Sequence, residues 1–456
     1  LSGIAPLREG YDAFAARVLL AEAAEHTLDV QYYIWHNDLS GTLLLNALRR
    51  AADRGVRVRL LLDDNNTSGM DEVLAALDAH HGIEVRLFNP FRRRRARWLD
   101  YLTDFSRLNR RMHNKSFTAD NQVTIVGGRN VGDEYFGAGH DLLFVDFDVL
   151  AIGPVVGDVS ADFDRYWRSD SAWPVSRAIS PANSAMITRV AEAAERAACS
   201  PDAAAFVEAV ERQPFVRDLI EQRLSLEWAP TRMVSDDPAK GFGRAPDAAL
   251  LWSRLKHLMG DPTSELHLVS PYLVPGKSGT AHFAALSKRG VKVCVLTNSL
   301  EATDVVAVHA GYAKYRKPML ECGITLFEMK RSAPPARRAL MGSSGSSRSS
   351  LHAKTFAIDR SRLFVGSFNF DPRSARLNTE LGFVIDSPVL AQVLAEVFAE
   401  PVPERAYDVR LRDKTRLQWT ESRDGNAFVY DREPGAGVGL RLAVAALSVL
   451  PIEWLL

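Results

Sequence analysis

The chain carries one chemically pointed pattern twice: His113-x-Lys115-x4-Asp120 and His352-x-Lys354-x4-Asp359. Each copy runs on into a turn ending in asparagine, Gly127-Gly128-Arg129-Asn130 and Gly366-Ser367-Phe368-Asn369. In both, the first glycine stands seven residues after the aspartate (120 to 127, 359 to 366). Histidine titrates near neutrality, so one imidazole can attack as a nucleophile while another moves a proton. Lysine is a compact cation and an asparagine amide is a neutral donor, and both stabilise charge that builds on oxygen in a transition state. This set of groups suits a phosphodiester, whose phosphorus is shielded by negative oxygens. One histidine forms a covalent phosphohistidine. The other, protonated, gives its proton to the departing oxygen and later takes one from an incoming alcohol or water. The chemistry calls for no metal and no other cofactor, and the sequence holds no HExxH or comparable ligand cluster. A single His-x-Lys would be unremarkable, but core packing does not demand a doubled spacing. The pattern implies one site built from two similar halves.

The elements that must position these groups follow from parity. On a strand, residues i and i+2 share a face, so each His and Lys are expected side by side, with Phe117 and Phe356 continuing that face. Asp120 and Asp359 fall on the opposite parity and are expected to brace the turns Asp120-Asn121 and Asp359-Arg360-Ser361 rather than touch substrate. Return strands follow (VTIVGG and LFVGS). The glycines are expected to turn the backbone sharply and bring Asn130 and Asn369 toward the histidine faces.

The repetition extends beyond the motif. LDVQYYIW at 28–35 resembles LHLVSPYL at 266–273, an offset of 238. Arg54-Gly55-Val56 matches Arg289-Gly290-Val291 at 235, Gly82-Ile83-Glu84-Val85 matches Gly323-Ile324-Thr325-Leu326 at 241, and the histidines lie 239 apart. Offsets that agree this closely mean an internal duplication. Each half reads helix, strand, helix, strand, helix, strand, then the motif hairpin. The helices carry apolar residues at helical spacing (Phe14, Val18 and Leu19; Leu250, Leu251 and Leu255), and the strands are nearly continuous apolar runs. The expected fold is α/β, with two similar α/β/α lobes, each around a mostly parallel central sheet. The expected division is a first lobe at 1–168, a helical connecting segment at 169–246 with helices near 184–198 and 202–223, a second lobe at 247–400, and a C-terminal extension with an apolar tail at 401–456. The run MGSSGSSRSS at 341–350 is expected to be a mobile loop before the second motif.

At 456 residues the chain has room for two or three domains. It is 46% apolar and 25% charged with a formal net charge of +0, so it is globular in composition and exerts no global pull on nucleic acid, which weakens a nuclease reading. Cys199, Cys294 and Cys322 show neither a disulfide framework nor zinc spacing. No run approaches the ~20 apolar residues of a transmembrane helix. The chain opens at Leu1 without a signal-peptide pattern, which leaves an upstream segment open. Phe91–Trp98 (FRRRRARW), followed by a helical pattern with Trp98, Leu102, Phe105 and Met112 on one side, suits an anionic membrane surface. Leu440–Leu456 is strongly apolar but interrupted by Arg441, Pro451 and Glu453, and suits either an interfacial segment or a core-docked terminal helix. His309, Tyr312 and Arg316 share one helical face, by default a surface stripe. Asp63-Asp64 and Asn298 end matched strands, where α/β sheets often place ligand contacts and where helix capping would serve as well.

The paired patterns resemble the phospholipase D superfamily, and especially its bacterial cardiolipin synthases, over nearly the whole chain. The stretches that carry the resemblance are YYIWHNDLSG at 32–41, HNKSFTADNQVTIVGGRNVGDEYF at 113–136, VHAGYAKYRKPMLECGI at 308–324 and LHAKTFAIDRSRLFVGSFNFDPRSARLNTE at 351–380. The resemblance implies a bilobal fold with the active site at the lobe interface and ping-pong phosphatidyl transfer through a phosphohistidine. It implies phospholipid substrates, namely phosphatidylglycerol and, as a further candidate donor, phosphatidylethanolamine. It implies peripheral or monotopic association with the bacterial cytoplasmic membrane, with no nucleic-acid partner expected. The implied catalytic set is His113, Lys115, Asp120, His352, Lys354 and Asp359, with Asn130 and Asn369 on the phosphate. A carboxylate following the asparagine is implied to hold the histidine by its second ring nitrogen. Glu380, eleven residues after Asn369, matches that position, and aligning Pro154 with Pro388 sets Asp146 opposite it, with Asp141 and Asp148 nearby. The resemblance favours His113 as nucleophile and His352 as acid/base, and gives His309, Tyr312 and Arg316 a headgroup-binding role. The implied activity moves a phosphatidyl group to phosphatidylglycerol. With water as acceptor the same chemistry is a phospholipase D, and with a nucleic-acid diester it is a nuclease.

Overall fold

The computed structural model describes residues 1–138, 142–331, 348–413, 415–423, 425–451 and 453–455. Most of the Ser/Gly-rich run at 341–350 lies outside these; its last three residues open the strand Arg348–Leu351. The chain forms two compact units. One comprises Leu1–Gly139, Phe147–Arg254 and Leu377–Phe383, and the other His140–Asp146, Leu255–Arg376 and Val384–Leu456. Each unit thus contains a short segment from the opposite half of the sequence.

In the first unit, Thr27–Tyr32, Arg57–Asp63 and Ile83–Phe88 are parallel neighbours, with helices Leu39–Asp53 and Asp71–Asp78 as crossovers. Asp38 caps the first of these helices by accepting from Gly41 N, and the helix buries Leu44, Leu48 and Ala51 on one face. Burying each leucine stabilises the fold by about 2 kcal/mol. The motif hairpin, Ser116–Ala119 with Val123–Gly127, joins antiparallel to Thr27–Tyr32. Asp148–Ile152 and Ser2–Leu7 continue the sheet antiparallel, with Glu227–Ala229 at one edge and Ala172–Pro174 at the other.

The second unit repeats the plan. Glu265–Val269, Lys292–Asn298 and Thr325–Met329 are parallel, separated by helices Gly276–Lys288 and Val306–Glu321. The hairpin Thr355–Ile358 with Arg362–Gly366 lies antiparallel on Glu265–Val269. Ala406–Arg412, Arg416–Arg423 and Asn426–Tyr430 then add an antiparallel meander beside Thr325–Met329.

Both sheets are therefore mixed, which corrects the expectation of mostly parallel ones. Connection length is the reason. A helical crossover returns the chain in the same direction, whereas the tight motif hairpins and the C-terminal meander reverse it. In the parallel strands Val30, Leu60 and Val85 are buried on one face and Gln31 and Leu61 on the other, as strands covered on both faces require.

Residues 169–246 belong to the first unit. Their helix Pro201–Glu211 packs Phe206 edge-on against Phe14, with ring centroids 4.8 Å apart. The terminal helix Val438–Ser448 docks Val444 against Leu300 and Ala310, and Glu453 pins the tail through Lys314 Nζ (2.9 Å) and the Tyr315 hydroxyl (2.7 Å). Its other side leaves Val438 and Leu442 exposed. No helix among the described residues is long and apolar enough to cross a membrane.

Candidate active site

The two motif hairpins are built alike. Asp120 and Asn121, and Asp359 and Arg360, all take left-handed backbone (φ 51°, 53°, 51° and 47°), which Asp and Asn tolerate better than most residues. Asp120 accepts from the backbone N–H groups of Glu25, His26 and Thr27 at 2.8, 2.8 and 2.7 Å. Asp359 accepts from the backbone of Thr263, Ser264 and Glu265 and from the hydroxyls of Thr263 and Ser264. Each aspartate thereby ties its hairpin to the start of the neighbouring strand. Partial burial raises both carboxyl pKa values, but the donors outweigh it and hold both below the usual carboxylate range.

The hairpin strands begin only at Ser116 and Thr355. His113, Lys115, His352 and Lys354 lie just before them, not on them as their spacing suggested. The reason is a change of partner. Met112 bridges in parallel to Thr379, His113 N donates to Thr379 O (2.9 Å), and Thr379 N donates to Arg111 O (2.9 Å). In the other unit, Arg348–Leu351 pairs in parallel with Leu142–Val145, and His352 N donates to Val145 O (2.8 Å). Each histidine sits where the chain passes from one pairing partner to another.

That exchange delivers a buried carboxylate to each imidazole. His113 Nδ1 lies 2.8 Å from Glu380 Oε2, and His352 Nδ1 lies 2.5 Å from Asp146 Oδ2. The partners are crossed: Glu380 follows the second motif but holds His113, and Asp146 follows the first but holds His352. Of the neighbours of Asp146, Asp148 instead binds Arg17 at 2.8 Å, and Asp141 lies outside the described residues. A carboxylate that accepts the Nδ1 proton fixes the tautomer, makes Nε2 the reacting nitrogen, and stabilises the imidazolium.

Both lysines are buried and fold back on their own histidines. Lys115 Nζ donates to His113 O at 2.6 Å. Lys354 Nζ donates to His352 O and stands 3.0 Å from His352 Nδ1. The Tyr33 ring meets His113 edge-on with centroids 5.0 Å apart, and Lys115 Nζ lies 5.5 Å from the same ring. Asn130 accepts from Ile34 N (3.2 Å) and donates to the Tyr135 hydroxyl (3.0 Å). Asn369 is equally buried, and its Oδ1 has no hydrogen-bond partner among the described residues. Gly127 is required by close approach rather than by its φ: an added Cβ would meet Asp148 Oδ1 at 2.1 Å.

Sequence reasoning missed Asp236 and Lys240, in the connecting segment. Asp236 Oδ2 accepts from Glu380 N (2.9 Å), Asp236 N donates to Glu380 O (3.0 Å), and Lys240 Nζ donates to Asp236 (2.9 Å). Burial pushes the Asp236 carboxyl up to about 6 against the pull of Lys240. No motif announces this residue; only the fold brings it to Glu380. Asp63 and Asn298, noted as strand ends, each bond the residue before a motif histidine, Met112 and Leu351.

His309, Tyr312 and Arg316 are buried, not a surface stripe. Arg316 pairs with Glu328 (2.9 Å) and Glu433 (2.7 Å), His309 lies 2.9 Å from Glu433, and Tyr312 donates to Glu328 (2.9 Å). These cationic and donor groups are matched by carboxylates from a strand and from the C-terminal extension. That is the chemistry of a buried, charge-matched cluster.

The family model described as "Cardiolipin synthase, PLD-like domain" matches residues 19–167 and 255–401, one match in each half. The chain belongs to the phospholipase D superfamily, as a cardiolipin synthase-like member, in agreement with the resemblance read from its motifs. It is 50% identical to cardiolipin synthase C of Escherichia coli (strain K12), covering 100% of this chain and 96% of that protein. It is 32% identical to an uncharacterized protein of Helicobacter pylori (strain J99 / ATCC 700824), covering 98% of this chain and 88% of that protein. Among solved structures it is similar in fold to a phosphatidylserine synthase of Haemophilus influenzae Rd KW20, with a TM-score of 0.60, 13% identity, and coverage of 99% of this chain and 95% of that one.

Proposed function

We propose that this protein is a phosphatidyltransferase of the cardiolipin synthase type, which takes a phosphatidyl group onto a histidine and passes it to the glycerol hydroxyl of phosphatidylglycerol. The observation that carries this reading is the duplicated imidazole–carboxylate pair, His113–Glu380 and His352–Asp146, each with its motif lysine beside it. An imidazole held in this way is suited to bear positive charge, either as a proton donor or as a phosphoryl adduct. A double displacement needs one of each.

In this mechanism His113 Nε2 attacks phosphorus, a P–N bond forms, and the P–O bond to the departing alcohol breaks. His352, as imidazolium, gives that oxygen its proton. The acceptor hydroxyl then yields its proton to neutral His352 and attacks phosphorus, releasing His113. One proton goes out with the first alcohol and one comes in with the second, with no redox change. Lys115, Lys354, Asn130 and Asn369 are assigned to the phosphoryl oxygens, where positioned donors act most strongly on developing charge. The mechanism requires both imidazoles to reach one phosphorus.

The helix Arg97–Leu108 supports a peripheral or monotopic membrane setting. Trp98, Leu102 and Phe105 are 64%, 74% and 45% exposed, next to the exposed Arg92, Arg93 and Arg95. Arg94 is not part of that surface, because it pairs with Asp64 and Asp71. Met112 is buried at the bridge to Thr379. Exposed aromatics beside cations fit an anionic lipid interface.

The test is turnover of labelled phosphatidylglycerol in vesicles, with and without phosphatidylethanolamine, with all products resolved. Cardiolipin is the expected product. Phosphatidic acid alone would make the protein a phospholipase D, and cleavage of DNA without lipid turnover would make it a nuclease.

A further inference from the structure

We infer that Asp63 and Asn298 are paired positioning residues, each fixing one motif histidine through the residue immediately before it; the inference rests on the proposed roles of His113 and His352. The two residues close matched strands, Arg57–Asp63 and Lys292–Asn298, at the same offset of 235 as the strands themselves. Both are buried, at 0% and 2% exposure.

Asp63 Oδ2 accepts from Met112 N at 2.7 Å, and Asp63 Oδ1 accepts from Arg111 Nε at 2.8 Å. The same oxygen accepts from Asn65 N at 2.9 Å, so capping accounts for only part of what Asp63 does. Arg111 in turn donates to the carbonyls of Phe88, Asn89 and Leu108. Asn298 accepts from Leu351 N and donates to Leu351 O, both at 2.9 Å. In each unit, then, a side chain at the end of a central strand grips the backbone one residue ahead of the histidine.

This grip matters because the chain has left the main sheet at that point. The crossed segments, at Thr379 and Val145, hold the histidine from one side and supply its carboxylate. Asp63 and Asn298 tie the residue just before it to the end of a central strand. A histidine that must place Nε2 on phosphorus tolerates little drift, and misplacement of about 1 Å can cost roughly 100-fold in rate.

The residue types differ in an instructive way. Asp63 offers only acceptors and meets an amide and a guanidinium. Asn298 offers one donor and one acceptor and meets an amide and a carbonyl. Asn298→Asp sets a carboxylate oxygen against Leu351 O, whereas Asp63→Asn keeps an acceptor for Met112 N.

The experiment compares Asp63→Ala, Asp63→Asn, Asn298→Leu and Asn298→Asp in the full-length chain. The substrates are phosphatidylglycerol and phosphatidyl-p-nitrophenol, whose leaving group needs no proton, and melting temperature and near-ultraviolet circular dichroism report folding. For folded variants the expected result is kcat down about 10- to 100-fold with KM within about twofold. Asp63→Asn should retain more activity than Asp63→Ala. Asp63→Ala should be slow in the first-turnover burst of p-nitrophenolate as well as in turnover, whereas Asn298→Leu should keep that burst and be slow only in the later transfer to the acceptor. The reverse split would support the positioning and exchange the roles of the two histidines. Folded variants with wild-type kcat, or losses equal on both substrates and proportional to the unfolded fraction, would overturn the inference. A wild-type protein that turns over neither lipid would instead remove the proposed function.

Discussion

The two histidine environments share a frame and differ in its furnishing. In both, a carboxylate from the opposite half of the sequence holds Nδ1, the motif lysine reaches the histidine's own carbonyl, and an aspartate directly after the first hairpin strand ties down the turn. These features are common because either role, nucleophile or acid/base, needs an oriented imidazole that can carry charge. The differences lie around that frame. His113 has the Tyr33 ring against it, where the matching position of the second half is Pro271. The segment before His113 is held through an Asp63–Arg111 ion pair, and that before His352 through the neutral amide of Asn298. Lys354 lies 3.0 Å from His352 Nδ1, so that ring nitrogen faces a cation as well as a carboxylate. On the proposed mechanism, a duplicated scaffold has kept what both halves must do and diverged where they are assigned different roles.

The largest expected effect separates the crossed pairs. Glu380→Gln and Asp146→Asn should each lower kcat by about 100- to 10,000-fold, since an amide favours the wrong tautomer and cannot stabilise the imidazolium. Glu380→Gln should share the defect of a His113 variant, including slow formation of the covalent intermediate. If it instead behaved as a His352 variant, forming the intermediate at near wild-type rate from a good leaving group, the crossed pairing would be wrong.

A smaller effect concerns the hairpin braces. Asp359→Ala should lower stability by about 1–3 kcal/mol, and Asp120→Ala by less, because Asp359 accepts from two hydroxyls in addition to three amides. Thermal melts would show the order. Both carboxyls are depressed, so their contribution is present above the unfolded carboxylate range near pH 4 and is lost as pH falls through the folded values. The two alanine variants should therefore lose less stability on acidification than the wild type, and a steeper loss would contradict the bracing role.

The smallest effect tests a feature found in the first unit. Arg92→Ala with Arg95→Ala should weaken binding to anionic vesicles by about 1 kcal/mol per residue and reduce its salt sensitivity. Arg94→Ala should instead destabilise the fold, because Arg94 joins Asp64 to Asp71. Unchanged vesicle affinity in the double variant would remove this helix from the membrane contact.

Much of this was legible in the sequence because it is local or repeated. The doubled spacing marked the histidines and lysines, the aspartates' parity marked them as turn residues, and the parallel trio followed from alternating strand and helix patterns. Glu380 and Asp146 were marked as carboxylates, but not by which histidine each holds. Nothing local distinguishes a partner 267 residues away from one 28 residues away. Sheet direction failed for a related reason, since the reading weighted the crossovers and not the hairpins and meander around them. The spacing of His309, Tyr312 and Arg316 fits a surface face or a buried one equally, and only the distant Glu328 and Glu433 decide it. The C-terminal meander did leave a signal, the alternation of Tyr407, Val409 and Leu411, which the apolar tail obscured.

The most direct measurement is to quench the enzyme during turnover of phosphatidylglycerol labelled in the phosphatidyl group and map the covalent adduct by peptide sequencing, in the wild type and in His352→Asn. The proposed mechanism gives label on His113 in the wild type, and on the same residue in His352→Asn if a p-nitrophenyl ester supplies the phosphatidyl group. Label on His352, or steady turnover with no covalent phosphohistidine, would contradict it.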